Sequence, residues 1–179
     1  MPSAHPLDRE LDANEMLGLL RDVGLRLAER NVHGEILLAG GAVMVLVVAS
    51  RPSSVDVDVR YLTEREAIIA AVKAVAIDRD LSPRWLNDAV ADFLPVDAPA
   101  SVLYELVGLT VRAVTLEFMV RMKAWAGGPQ DVADLRALVQ KLSLTDSEQV
   151  LRIVEQHSPG SAGESLPRDM QIMIEGLFD

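Results

Sequence analysis

Residues 36–60 constrain this chain more than any other stretch. The apolar run Ile36-Leu37-Leu38-Ala39 meets Gly40-Gly41, continues apolar from Ala42 to Ala49, and passes through Arg51-Pro52-Ser53-Ser54. It then resumes as the alternating Val55-Asp56-Val57-Asp58-Val59-Arg60. Residues two apart on a strand point to the same side. The pattern therefore predicts a strand over 55–61, with Val55, Val57 and Val59 facing one way and Asp56 and Asp58 together facing the other. Adjacent like charges on one strand face destabilise it, and a cation between them removes that cost. An all-oxygen pair suits Mg²⁺ (or Mn²⁺), which takes one or two carboxylates and completes its shell with water and substrate phosphates. A glycine pair lets a phosphate approach backbone N–H groups closely. A Gly-Gly pair alone is ordinarily a turn, and acids on an exposed strand face are common. The ordered combination points to chemistry on a nucleoside triphosphate (NTP). In that reading Asp56 and Asp58 are metal ligands, and Gly40, Gly41, Arg51 and Ser54 hold phosphates. Arg51 has the alternative of pairing with Asp58, and Ser54 that of capping the loop or accepting a nucleotide itself.

The rest of the composition bounds the alternatives. The chain has 179 residues, 50% hydrophobic but only 4% aromatic, so its core is built from Val, Leu, Ala, Ile and Met. With no cysteine, disulfides, thiolate metal sites and a Cys nucleophile are excluded. The polar, acid-bearing start lacks the form of a secretory signal, and the apolar run 42–49 is too short to span a bilayer. The expectation is a cytoplasmic protein with no membrane partner. A net charge of −10 opposes a broad nucleic-acid-binding surface yet leaves room for a local basic pocket.

Periodicity predicts a helix over 8–31, a buried strand over 35–39 and the acidic strand over 55–61. The continuous apolar run 42–50 suits a buried helix or a strand by periodicity, and a helix is expected because a Gly-Gly turn after a strand often leads into one. A helix from Thr63, with Glu66 closing a capping box, runs to about 77. After a loop over 78–87 come a short helix over 89–94 and strands over 102–107 and 109–114, separated by Gly108 in a tight connection or a bulge. Helices follow over 115–126, from Asp131 to about 142, and from Thr145 (with Glu148 as a second capping box) to 157. A Pro/Gly/Ser-rich loop over 158–167 leads to a last helix over 168–178. The expected class is α/β (α+β): a small mixed twisted sheet flanked by helices over 1–114, and a helical C-terminal part over 115–179.

Two blocks resemble a known family. Gly40-Gly41, Val43, Arg51, Ser54, Asp56 and Asp58 look like the signature of the nucleotidyltransferase superfamily. More narrowly, they are similar to the AbiEii-type nucleotidyltransferase toxins of bacterial toxin–antitoxin systems, where Ala commonly stands at the place of Val43. The second block, 115–138, carries Lys123, Ala126, Asp131 and Asp134 at the places of that group's Met-Lys-x-x-Ala and Asp-x-x-Asp. Gly127-Gly128 stand where those relatives often have Arg, so one phosphate-binding cation is missing. By spacing, Lys123 either snorkels over Met119, Val120, Met122 and Trp125 or projects its ammonium onto phosphate oxygens. Asp131 and Asp134 lie in a first helical turn, where capping accounts for one of them. The resemblance gives the other, preferably Asp131, to the active site.

What the resemblance implies is a nucleotidyltransferase fold and an enzyme that moves an NMP from an NTP to an acceptor hydroxyl with Mg²⁺. Asp56, Asp58, Lys123 and Asp131 are its catalytic set. The acceptor would be an RNA end such as the tRNA acceptor stem, or a protein, and a cognate antitoxin would be its partner. Alternatives are transfer to a small molecule of the antibiotic kind, and a degenerate nucleotide-binding or antitoxin module. A third metal carboxylate is common in the superfamily, and Glu105, sharing a side with Leu103 and Val107, is the candidate. His5, His33 and His157 follow no ligand spacing, and Trp85 and Trp125 read as core residues.

Overall fold

A computed structural model describes residues 9–157 and 166–179. The chain divides into two compact units, Met1–Val114 and Thr115–Asp179. The fold is α+β, with a mixed sheet in the first unit and helices throughout the second. The expected loop over 158–167 lies mostly outside the described residues. Among those residues no helix is long and apolar enough to cross a membrane.

In the first unit, strand β1 (Leu11–Asp12) pairs antiparallel with β3 (Ser53–Ser54). It leads into helix α1 (Ala13–Ala28), which therefore starts later than the predicted 8–31. Asp12 is its cap: the Glu15 N–H donates to the Asp12 carboxylate at 2.9 Å, and the Asp12 N–H donates back to Glu15 at 3.1 Å. That backbone donor, with Arg9 beside it, holds the Glu15 carboxyl below its usual range. The main sheet has the order β5-β4-β2-β7-β6, from β2 (Gly34–Leu38), β4 (Val57–Tyr61), β5 (Leu86–Asn87), β6 (Ala100–Leu106) and β7 (Leu109–Val114). Strand β2 runs antiparallel to β4 and parallel to β7. Gly108, at φ +74, makes the tight β6–β7 connection, and the bulge lies elsewhere, between Val102 and Tyr104.

Register partners share a sheet face, which sorts the sheet into two sides. One carries Ile36, Leu38, Val57, Val59, Val111 and Ala113, all buried. Helices α1 and α3 (Arg65–Asp78) cover it: the side chain of Ile68 on α3 fills the space a Cβ would take at Gly34. The other side carries Glu35, Asp58, Arg60, Thr110 and Arg112, with the buried Leu37 and Val114 among these polar residues.

Several local expectations fail for identifiable reasons. The ladder of β4 begins at Val57, so Val55 is 50% exposed rather than aligned with Val57 and Val59. The predicted helix over 42–50 is one α-helical turn, α2 (Gly40–Val43), followed by a π-helical turn over Met44–Val48 that ends at Ala49 with φ +58. Three valines in that run crowd a regular α-turn, and the wider π-turn, rare and frequent at functional sites, relieves them. The capping box at Thr63 does not form. Glu64, at φ +49, precedes α3 without a side-chain cap. Residues 89–94 hold only a 3₁₀ turn, Ala91–Phe93.

The second unit contains α4 (Leu116–Ala126), α5 (Pro129–Lys141), α6 (Ser147–Gln156) and α7 (Arg168–Glu175). Thr115 caps α4, accepting from the Phe118 N–H at 3.3 Å. Helix α5 starts at Pro129, two residues before Asp131, because proline suits the first helical position. The cap of α6 is Asp146, not Thr145: its carboxylate accepts from the Gln149 N–H at 3.0 Å. Trp85 is 2% exposed and belongs to the core, whereas Trp125 is 49% exposed and does not.

Candidate active site

Strand β2 ends at Leu38, and the Ala39 N–H donates to the Asp58 carbonyl at 3.1 Å, tying the glycine turn to the acidic strand. Gly40 takes φ +63. A Cβ there would lie 2.5 Å from Oδ2 of Asp58, and one on Gly41 would lie 2.7 Å from Oγ of Ser54 and 3.4 Å from a guanidinium nitrogen of Arg51. Only glycine admits that approach. Gly40, Gly41, Arg51, Ser54 and Asp58, picked out by sequence pattern, thus meet at one place, and all are partly exposed. The β1–β3 pairing sets Leu11 opposite Ser54, and the neighbouring Ser53 hydroxyl donates to Glu10 at 2.5 Å. The segment bearing Ser54 is therefore anchored from the N-terminal side.

Asp56 precedes the β4 ladder, and its carboxylate is held from a different direction. Asn87 stands opposite Asp58 in the β4–β5 register. Its amide donates to Oδ2 of Asp56 at 3.2 Å and to the Arg84 carbonyl at 3.1 Å. Its amide oxygen accepts from the Ala89 N–H at 3.0 Å. Sequence reading placed Asn87 in a featureless loop. An Asn two residues before a backbone N–H it can cap was the available signal. Arg60, on the same face as Asp58, donates to the carbonyls of Ala91 at 2.6 Å and Leu94 at 3.0 Å. It fastens the 84–94 segment along this edge.

Glu105 does not join them. It pairs with Thr110, which pairs with Glu35, whereas Asp58 lies level with Ala39. That is about 13 Å along the strand direction and three strand spacings, about 14 Å, across the sheet. Among the described residues no group of three or more His or acidic side chains is placed to hold a metal ion. A two-carboxylate oxygen set still fits Mg²⁺, because that ion commonly keeps several waters and takes only one or two carboxylates. The close approach of Asp58 to the Gly40 backbone and of Ser54 and Arg51 to the Gly41 backbone, which gathers a carboxylate, a hydroxyl, a guanidinium and main-chain groups at one turn, is the second point of fit.

The second unit holds its own charged cluster. The Lys123 ammonium lies 2.8 Å from Asp131 and 2.9 Å from Asp134, and Lys123 and Asp134 are only 9% and 2% exposed. An ammonium has three N–H donors, so at most one is left for another acceptor. Asp131 also accepts from the Gly128 N–H at 3.2 Å. Capping therefore belongs to Asp131, the residue expected to be spared for the active site, and Asp134 is the buried one. Nearby, burial lowers the Arg121 guanidinium from its usual range, with the group stacked over Phe118 at 5.4 Å.

No protein-family model, curated protein or solved structure matches the chain.

Proposed function

We propose that the first unit is the core of a Mg²⁺-dependent nucleotidyltransferase, related to the toxin group named above. The observation that carries this reading is the convergence of Gly40, Gly41, Arg51, Ser54 and Asp58 at the end of β2. Asp56 and Asp58 hold the divalent cation. When bound, Mg²⁺ supplies charge neutralisation at the α-phosphate and orients the triphosphate. The backbone at Gly40 and Gly41 and the Ser54 hydroxyl bind phosphate oxygens, and Arg51 clamps the chain of phosphates. An acceptor hydroxyl attacks the α-phosphorus in line and gives up its proton to solvent, the bond to the β-phosphate oxygen breaks, and pyrophosphate leaves with the bonding electrons. Catalysis of this kind is mainly positioning and charge stabilisation. Lys123 and Asp131 enter the reaction on the resemblance alone.

The acceptor is an RNA end such as the tRNA acceptor stem, or a protein hydroxyl, with a cognate antitoxin as partner. One observation weighs between acceptors. The surplus of acids, −10 overall, repels a polyanion, which favours the protein hydroxyl over the RNA end and leaves an antibiotic-type small molecule as the second reading. Incubation with each labelled NTP, total RNA and cell protein, beside Asp56→Ala, separates these outcomes. Label in RNA, in protein or in a small product identifies the acceptor. Nucleotide binding without any Asp56-dependent incorporation leaves a non-catalytic binding module.

A further inference from the structure

We infer that Asn87 is a positioning residue for the divalent-cation site, acting through Asp56. The inference rests on the nucleotidyl-transfer reading for the cation and on observed geometry for the residue. Asp56 lies one residue before the first ladder position of β4, so the strand does not fix its side chain as it fixes Asp58. The Asn87 amide supplies the restraint at 3.2 Å. Its orientation follows from the surrounding bonds. The nitrogen side faces two acceptors, Asp56 and the Arg84 carbonyl, and the oxygen side faces the Ala89 N–H. A flipped amide would set oxygen against oxygen twice. Donation to Oδ2 leaves Oδ1 outside this bond, the oxygen assigned here to the cation, and the donor also offsets part of the repulsion between two neighbouring acids.

The platform that carries Asn87 is rigidly attached. Trp85 is buried and its indole N–H donates to the Val72 carbonyl at 3.3 Å. The Val57 N–H donates to the Trp85 carbonyl at 2.7 Å. Arg65 pairs with Asp88 at 2.9 Å, and Arg60 holds the carbonyls of Ala91 and Leu94. These attachments reach β4 or α3 from residues flanking Asn87, so the amide is presented to Asp56 from a fixed base. Partners that orient a metal ligand in this way are typically worth about 10- to 100-fold in metal affinity.

The test is Mn²⁺ binding to the full chain, read by electron paramagnetic resonance, with Mg²⁺-dependent turnover measured in parallel. Asn87→Ala should weaken Mn²⁺ binding about 10- to 100-fold. Turnover at saturating Mg²⁺ should return to near the wild-type value, so the loss falls on metal affinity and not on kcat. Asn87→Ser separates positioning from mere loop support. Its hydroxyl still caps the Ala89 N–H but is too short to reach Asp56. It should keep the wild-type melting temperature and show the same weakened Mn²⁺ binding. Arg65→Ala loosens the same segment without touching the amide and should leave Mn²⁺ affinity within about twofold. Wild-type affinity in Asn87→Ser, or equal weakening in Arg65→Ala, overturns the role of Asn87 while the metal site stands. Wild-type protein whose Mn²⁺ binding is indifferent to Asp58→Asn overturns the metal site itself, and this inference with it.

Discussion

The two units each concentrate charge, in opposite ways. At the end of β2, two carboxylates from one strand segment sit partly exposed beside glycines, a serine and an arginine. In the second unit, one ammonium is enclosed by two carboxylates and nearly removed from water. The first arrangement sets polar side chains against bare glycine backbone at a partly exposed turn. The second spends its donors internally. A buried ion group of that kind is costly to break and adds little stability over an apolar replacement. Two acids placed close together at a partly exposed turn repel each other, which is expected of a site kept for a ligand.

The largest effects test that contrast directly. Asp58→Asn should lower nucleotide incorporation by about three orders of magnitude, the scale of several kcal/mol of lost charge stabilisation. Its unfolding free energy should move by less than about 1 kcal/mol, because a like-charge neighbour has been neutralised. Lys123→Met should lose about 3–5 kcal/mol in urea denaturation, since the buried Asp134 and the partly buried Asp131 are left without their cation. A stable Lys123→Met protein, or a severely destabilised Asp58→Asn, would erase the distinction between an open site and a structural triad.

Two glycines sharpen it at a smaller scale. Gly40 and Gly127 have nearly the same backbone, φ +63 and +64. A Cβ on Gly127 would find only the Ala124 carbonyl, at 3.8 Å, whereas one on Gly40 would press on Asp58 at 2.5 Å. Gly127→Ala should therefore cost only the left-handed penalty, about 1–2 kcal/mol, and leave Mn²⁺ binding untouched. Gly40→Ala should cost more and also displace the Asp58 carboxylate, weakening Mn²⁺ binding about tenfold or more. Thermal melts and Mn²⁺ titrations of both variants measure the difference, and equal behaviour would show that the acid is not held against the turn.

What the sequence made legible was local. The two-residue period of Asp56 and Asp58 and the adjacent glycines lie within a short stretch, and the chain folds that stretch on itself. Asn87 was invisible because its contact with Asp56 spans 31 residues and depends on a two-residue strand, β5, with no periodicity to read. Glu105 was chosen by strand alternation, which reports a face but not a height along the sheet. Asp131 and Asp134, three apart on one helix, have equal claims by spacing. Tertiary packing decided that the first caps and the second is buried. Thr145 and Asp146 likewise both suit a cap, and only the backbone around Asp146 selects it.

The smallest effect compares the two faces of β4. Asp58 lies on the polar face, and Tyr61 on the side covered by α1 and α3. Burial, with a further push from the Asp88 carboxylate, raises the Tyr61 phenol to about 12, while Arg65 opposes the shift. Below the ordinary tyrosine value near 10, folded and unfolded chains both keep the proton, and the full stability is present. As pH rises from about 10 toward 12, the unfolded chain ionises first and binds fewer protons, so stability falls across that window. Tyr61→Phe should flatten this part of the alkaline limb when urea midpoints are compared across it. Phenolate absorbance of the folded protein should show one tyrosine titrating near 12. A Tyr61 that ionises with an unshifted curve would mean that the apolar face of β4 is as open to water as the face bearing Asp58.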